Sequence, residues 1–220
     1  LDQTYKAENR PIQEQEEMFQ FMIYEYGRLK DSVALMEMYK EGVQRFSFNT
    51  FYARSLVNEY LSKNDLDAAL GWIETAINQG DSTAIFFNLK AQILEHKGEL
   101  KEAEKFYLKA IEKDPEFADA MGSLGRIYYN EAVEELDRVN NIKDNRKYQV
   151  AKAKMESFFL KPLPYMEKAH AVNPQERDYI VALRGIYYNL QGIYYGAKKT
   201  ALSKEYEAKY KEMDAKMKSL

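Results

Sequence analysis

The 220-residue chain has no cysteine, which excludes a disulfide framework and any thiolate metal site. Glycine (10) and proline (5) are scarce, so little of the chain is available for loops and turns. No apolar run approaches the roughly 20 residues that a membrane-spanning helix needs. There is no basic excess either. The 32 lysines and arginines meet 35 acidic residues, for a net charge of -3, which argues against nucleic acid or anionic lipid as the main partner. Motifs for common chemistries are missing: no H-E-x-x-H pair, no glycine-rich phosphate loop, no G-x-S-x-G elbow. His96 and His170 stand 74 positions apart with no ligating pattern around either. Neither a cofactor nor a metal is expected, and no enzyme. Leu1 opens without a charged, apolar leader. The expectation is therefore a mature chain or an excised piece, with any export signal upstream.

Hydrophobic residues, in contrast, make up 45% of the chain, and tyrosine alone occurs 18 times. Their spacing is regular. The stretch LGRIYYN at 124–130 returns 59 residues later as LRGIYYN at 183–189. A shorter period of 34 residues runs through the rest. It links Tyr26, Tyr60, Leu94 and Tyr128, then Tyr39, Ile73 and Tyr107, and then Gly42, Ala76 and Ala110. Within each unit the pattern predicts two amphipathic helices. In 84–117, Phe87, Ala91 and Leu94 share one face of a first helix, and Gly98 breaks it. Leu100, Ala103, Tyr107 and Ala110 then mark a second helix, which Pro115 stops. The alanines suit close helix crossings, where large side chains would hold the backbones apart, so Ala103 and Ala110 are predicted to be buried.

This 34-residue helix–turn–helix unit resembles the tetratricopeptide repeat (TPR) family, most clearly in FFNLKAQILEHKGELKEAEKFYLKAIEKDP at 86–115. Lys90 departs from the pattern, which has leucine there. The resemblance implies an all-α fold, a right-handed superhelical solenoid of about ten helices. It covers about 16–190, with units near 16–49, 50–83, 84–117 and 118–175. Residues 1–15 read as a tail or the remnant of a preceding repeat, and 176–220 as a C-terminal hairpin with a capping helix.

The 59-residue spacing then reads as 34 plus an insertion of 25 at about 131–161. It predicts one hairpin with long arms, Ala132, Val133, Leu136 and Val139 facing Tyr148, Ala151, Met155 and Phe158. The arms are expected to project as an ordered finger, kinked near Pro162 and Pro164, with a turn at 140–146 that frays first. A long-armed unit leading into LPYMEKAHAVNP is similar to a bacterial, often exported subgroup. That implies a periplasmic setting, with a cytoplasmic one as the alternative.

In the family, first helices line a concave groove. Carried over, this selects Gln20, Tyr24, Arg54, Asn58, Asn88, Gln92, Arg126 and Tyr129 as its outward-facing residues. Arginine and amide side chains bind peptide carbonyls and carboxylates. The expected function is a non-enzymatic scaffold for a protein or peptide segment. The alternatives are a glycan-binding or surface-lipoprotein accessory protein, for which Tyr129 would supply a stacking face, and a structural oligomer subunit. Oligomerisation through the finger or the last helix is one form of the latter. The last helix carries a stripe of Leu202, Tyr206, Tyr210, Met213, Met217 and Leu220, read first as a packing face. Arg54 and Asn58 also resemble part of the clamp that holds chaperone tails, but Leu89, Asp119 and Ser123 stand where that clamp needs an amide and two basic residues.

Overall fold

The computed structural model describes residues 11–46, 49–78 and 83–219, and among them the fold is all-α with no strand. The tail expected at 1–15 lies mostly outside the described residues, as do Leu220 and the side chain of Ala76. Twelve helical segments follow one another along the described residues. They are α1 (Ile12–Leu29), α2 (Ser32–Arg45), α3 (Thr50–Ser62), α4 (Leu66–Asn78), α5 (Ala84–His96) and α6 (Leu100–Lys113). Next come α7 (Ala118–Asn140), α8 (Asn145–Lys152), α9 (Met155–Leu160), α10 (Leu163–Val172), α11 (Arg177–Gly196) and α12 (Thr200–Ser219). Counting α8, α9 and α10 as one broken arm gives the expected ten. The chain divides after Lys97 into two compact units.

The turns keep the 34-residue step. Left-handed backbone occurs at Lys30 (φ 55°), Asn64 (φ 54°) and Gly98 (φ 78°). After Lys30, the Asp31 N–H donates to the Tyr26 carbonyl and the Lys30 N–H to Gly27. After Asn64, Asp65 donates to Tyr60 in the same way. This is a Schellman closure, which satisfies carbonyls left open at a helix end. The next residue then caps the following helix: Asp31 accepts from the Ala34 N–H at 3.0 Å and Asp65 from Ala68 at 3.2 Å. The series Tyr26, Tyr60 thus marks the last turn of each first helix.

In the first unit the core is aromatic. Phe19, Phe46 and Tyr52 are fully buried, with ring centroids 5.2–5.6 Å apart. Gly42 faces this cluster, and a Cβ there would come within 2.5 Å of the Tyr52 ring, so even alanine would have to push the ring aside. Glu16, largely buried, accepts from the Tyr52 hydroxyl and the Asn49 amide. Lys90, the departure from leucine, sends its ammonium to Glu74 on α4 at 2.7 Å.

In the second unit Ala103, Tyr107 and Ala110 are fully buried on α6, as the register predicts. The finger is where structure and sequence part. The arms are long, since α7 runs 23 residues, but they do not project. Ala132, Val139, Met155 and Phe159 lie in one core cluster with Ile186, Leu190 and Tyr194 of α11 and Met213 of α12. Phe159, and not Phe158, is the fully buried ring. The physical reason is that α11 is lengthened too. Its closing left-handed residue is Lys198, seven positions past the place the repeat assigns to it. Two extra helical turns therefore cover the apolar side of the arms. The last helix packs on α11 through Tyr206 and Met213, with Tyr210 and Met217 against the same cluster, while Leu202 stays exposed.

Candidate functional site

In the first unit Gln20 and Tyr24 stand one turn apart on α1, and Arg54 and Asn58 one turn apart on α3. All four are exposed. The opposite sides of the same helices bury Phe19, Met22 and Ile23, and Tyr52, Ala53, Leu56 and Val57, which fixes the direction of the exposed pairs. Arg54 also engages other groups within the chain. Gln92 on α5 is half-buried.

Asn88 does not belong with them. It is 1% exposed, and its Oδ1 has no hydrogen-bond partner. The 34-residue register places it outward, but α5 also buries Ile85, Phe86, Phe87, Leu89, Ala91, Ile93 and Leu94. A helix enclosed on most sides has no outward face at that position.

In the second unit Arg126 on α7 is exposed and makes contacts within the chain. Tyr129 is half-buried. Its hydroxyl lies over Gly185 of α11, so close that a Cβ there would be 2.0 Å away. Burial pushes its phenol up, and Arg184 pulls it back. A ring seated this way is a packing residue, not an open stacking face.

The tyrosines sort by pair. Tyr128, Tyr187 and Tyr194 are buried, while Tyr188 and Tyr195 are 60% and 76% exposed. Adjacent helical residues point about 100° apart, which produces this split. Each buried ring donates its hydroxyl to a glutamate: Tyr128 to Glu104, Tyr187 to Glu167 at 2.8 Å, Tyr194 to Glu156 at 3.0 Å. Burial and then the Glu156 hydrogen bond push the Tyr194 phenol up to about 12. Core use thus accounts for much of the tyrosine content.

The histidines do not meet. His96 is exposed on α5 in the first unit, and His170 is half-buried on α10 in the second. Among the described residues no group of three His, Cys, Asp or Glu side chains is placed to hold a metal ion. None of the described helices is long and apolar enough to cross a membrane.

Sequence reasoning missed the surface made by α8 and the C-terminal half of α11. A signal for it was present in the cations Lys143, Arg146, Lys147, Lys152 and Lys154, with Asp144 the one acid among them.

Helical hairpins closing every 34 residues, with small residues at the crossings, make this the tetratricopeptide-repeat fold. Solved structures similar to the chain include two of MamA, each at a TM-score of 0.54, with 15% and 17% identity. They cover 92% and 89% of this chain and 91% and 94% of the MamA chains. A monomeric mutant of IFIT1 with Gppp-AAAA matches at a TM-score of 0.51 and 15% identity, over 80% of this chain but only 36% of IFIT1. YrrB, a TPR protein, matches at 0.45 and 14%, over 89% of this chain and 84% of YrrB. At these identities the likeness is one of fold alone. No family model and no curated protein matches the chain.

Proposed function

We propose that the chain is a non-enzymatic scaffold that binds an extended protein or peptide segment on the exposed faces of its first helices. One observation carries this reading: Gln20 and Tyr24 on α1, and Arg54 and Asn58 on α3, form exposed pairs one turn apart on helices whose opposite faces are packed into the core. Gln92, and in the second unit Arg126, fall at the same 34-residue step of the sequence as Tyr24 and Asn58. Amide and guanidinium groups offer fixed donors to peptide carbonyls and carboxylates, and a helix ladder repeats them at intervals along an extended chain. The resemblance to exported repeat proteins supports a periplasmic setting.

Affinity capture from the native compartment, run side by side with the Arg54→Ala/Arg126→Ala variant, tests this. The expected result is loss of the specifically retained proteins in the variant, with its helical circular dichroism intact. An identical retained set would remove these faces from the binding surface. The glycan-binding alternative rests on the exposed rings of Tyr188 and Tyr195, and predicts glycan-array signals lost on Tyr188→Ala/Tyr195→Ala.

A further inference from the structure

The long arms and α11 line an open cavity of about 290 Å³ within the second unit. That is near the lower end of small-molecule pockets. Its floor is apolar. Val139 and Met155 are 2% and 1% exposed, and half-buried Leu136 and Ile193 flank them. Half-buried Tyr148 and Gln191 also line it, and Asn140, Lys152 and Tyr188 are exposed. Among the described residues, the hydroxyls of both tyrosines, the side-chain amides of Asn140 and Gln191 and the Lys152 ammonium have no hydrogen-bond or ion-pair partner. Lys152 makes only a cation–π contact, 5.5 Å over the Tyr148 ring. The lining holds one cation and no anion.

The charge continues beyond the cavity. Lys143, Arg146, Lys147, Lys152 and Lys154 are all exposed, and among the described residues none has a salt bridge. The one acid in this segment, Asp144, is committed to the start of α8, accepting from the Lys147 N–H at 2.8 Å. In a chain of net charge -3 this is a local basic strip facing solvent beside an apolar hole.

We propose that the long arm and α11 form an anchor site for an acidic peptide segment. One aromatic side chain of the partner fills the cavity, and flanking carboxylates lie over Lys152 and Lys154. This deepens the peptide-binding reading and rests on it. The floor selects the occupant. Sugar hydroxyls or the ring nitrogens of a nucleobase can pair with the walls but lose hydrogen bonds over Val139 and Met155, and a neutral sugar offers no charge to the basic strip. A phenyl ring loses no hydrogen bond there, an indole has a single N–H to direct at the unpaired amides and hydroxyls of the mouth, and either ring gains contact with the methionine. The unpaired amides and hydroxyls at the mouth suit the peptide units on either side of the anchor. The basic strip complements acidic neighbours and makes the encounter dependent on salt.

Amide NMR of the full chain tests the site with four probes: Ac-Asp-Trp-Asp-NH2, the same peptide with alanine for tryptophan, methyl glucoside and AMP. The tryptophan peptide is expected to shift amides in 136–155 and 188–193, several-fold more tightly at 20 mM than at 200 mM salt. The alanine peptide is expected to bind at least tenfold more weakly. In Gly192→Phe the new Cβ meets nothing within 4 Å, so the side chain can fill the mouth, and the shifts are expected to vanish. Lys152→Glu/Lys154→Glu, changes at exposed positions, is expected to weaken the tryptophan peptide tenfold should the glycine variant prove unstable. Absence of pocket shifts at millimolar peptide, equal binding of the alanine peptide, or stronger pocket shifts with methyl glucoside or AMP would overturn the proposal. Arg54→Ala/Arg126→Ala is expected to leave these shifts unchanged, so failure of the first-helix faces and failure of this pocket are separable.

Discussion

Lys30 and Lys198 occupy left-handed backbone positions that favour glycine, with φ of 55° and 57°. Gly98 holds the corresponding place in the 34-residue series, so the turn has been built both ways in one chain. A side chain with a Cβ costs about 1 kcal/mol in that conformation. Lys30→Gly and Lys198→Gly are each expected to raise stability by about 0.5–1 kcal/mol, read as a higher urea midpoint at unchanged slope. His170 is a second residue with a measurable consequence. Its Nδ1 is buried without a partner, and its Nε2 lies 3.1 Å from the Lys216 ammonium. Burial first, and then Lys216, lower its pKa, while Glu212 opposes them. The unfolded chain therefore takes up the proton more readily. Stability should rise with pH up to the ordinary histidine pKa of about 6.5 and fall as the solution is acidified below it. In His170→Gln this slope should flatten, which urea midpoints at pH 7 and pH 5.5 would show.

At the scale of elements, the decisive fact is that α7, the broken arm α8–α10 and α11 are long together. An insertion in one hairpin would leave an apolar seam facing water. Here the seam is covered because α11 extends beside it, and Tyr194 reaches Glu156 on α9 while Lys199 pairs with the same carboxylate at 3.2 Å. Replacing 139–147 with a short Gly/Ser turn is therefore expected to destabilise the protein. Removal of the buried Val139 alone should cost about 1–3 kcal/mol. A denaturation midpoint unchanged from wild type would mean that the arms are dispensable to the core after all. The turn residues between the arms are nearly all exposed, so their amides are expected to exchange fastest in this region.

For the whole molecule, composition and fold agree. Scarce glycine and proline leave few breaks, and the breaks that occur are mostly caps with defined backbone. Far-ultraviolet circular dichroism is expected to show strong helix with no appreciable strand. A strand signature would contradict the repeat reading at its root. The two units bury different kinds of core. The first relies on the Phe19, Phe46 and Tyr52 rings beside a glycine, the second on alanine crossings and tyrosine–glutamate pairs. Both solve the same problem, close approach of neighbouring helices, and among the described residues each leaves one buried polar side-chain atom unpaired, Asn88 Oδ1 in the first and His170 Nδ1 in the second.

The local features were legible in the sequence because they depend on neighbours within one turn or one hairpin. The 34-residue period, the break at Gly98 and the burial of Ala103 and Ala110 follow from helical periodicity and from residues that end a helix. What the sequence could not decide is which faces of a helix are covered, because that depends on elements far away in the chain. Asn88 reads as outward by register, yet α5 is enclosed on that side as well. Tyr129 reads as open, yet Gly185, 56 residues later, receives its hydroxyl. The arms read as a projecting finger, yet α11 runs on beside them. The cavity over Val139 and Met155 exists only because those separate lengths coincide in space. Periodicity specifies which side of a helix is apolar. Only tertiary packing decides how much of the remaining surface meets water.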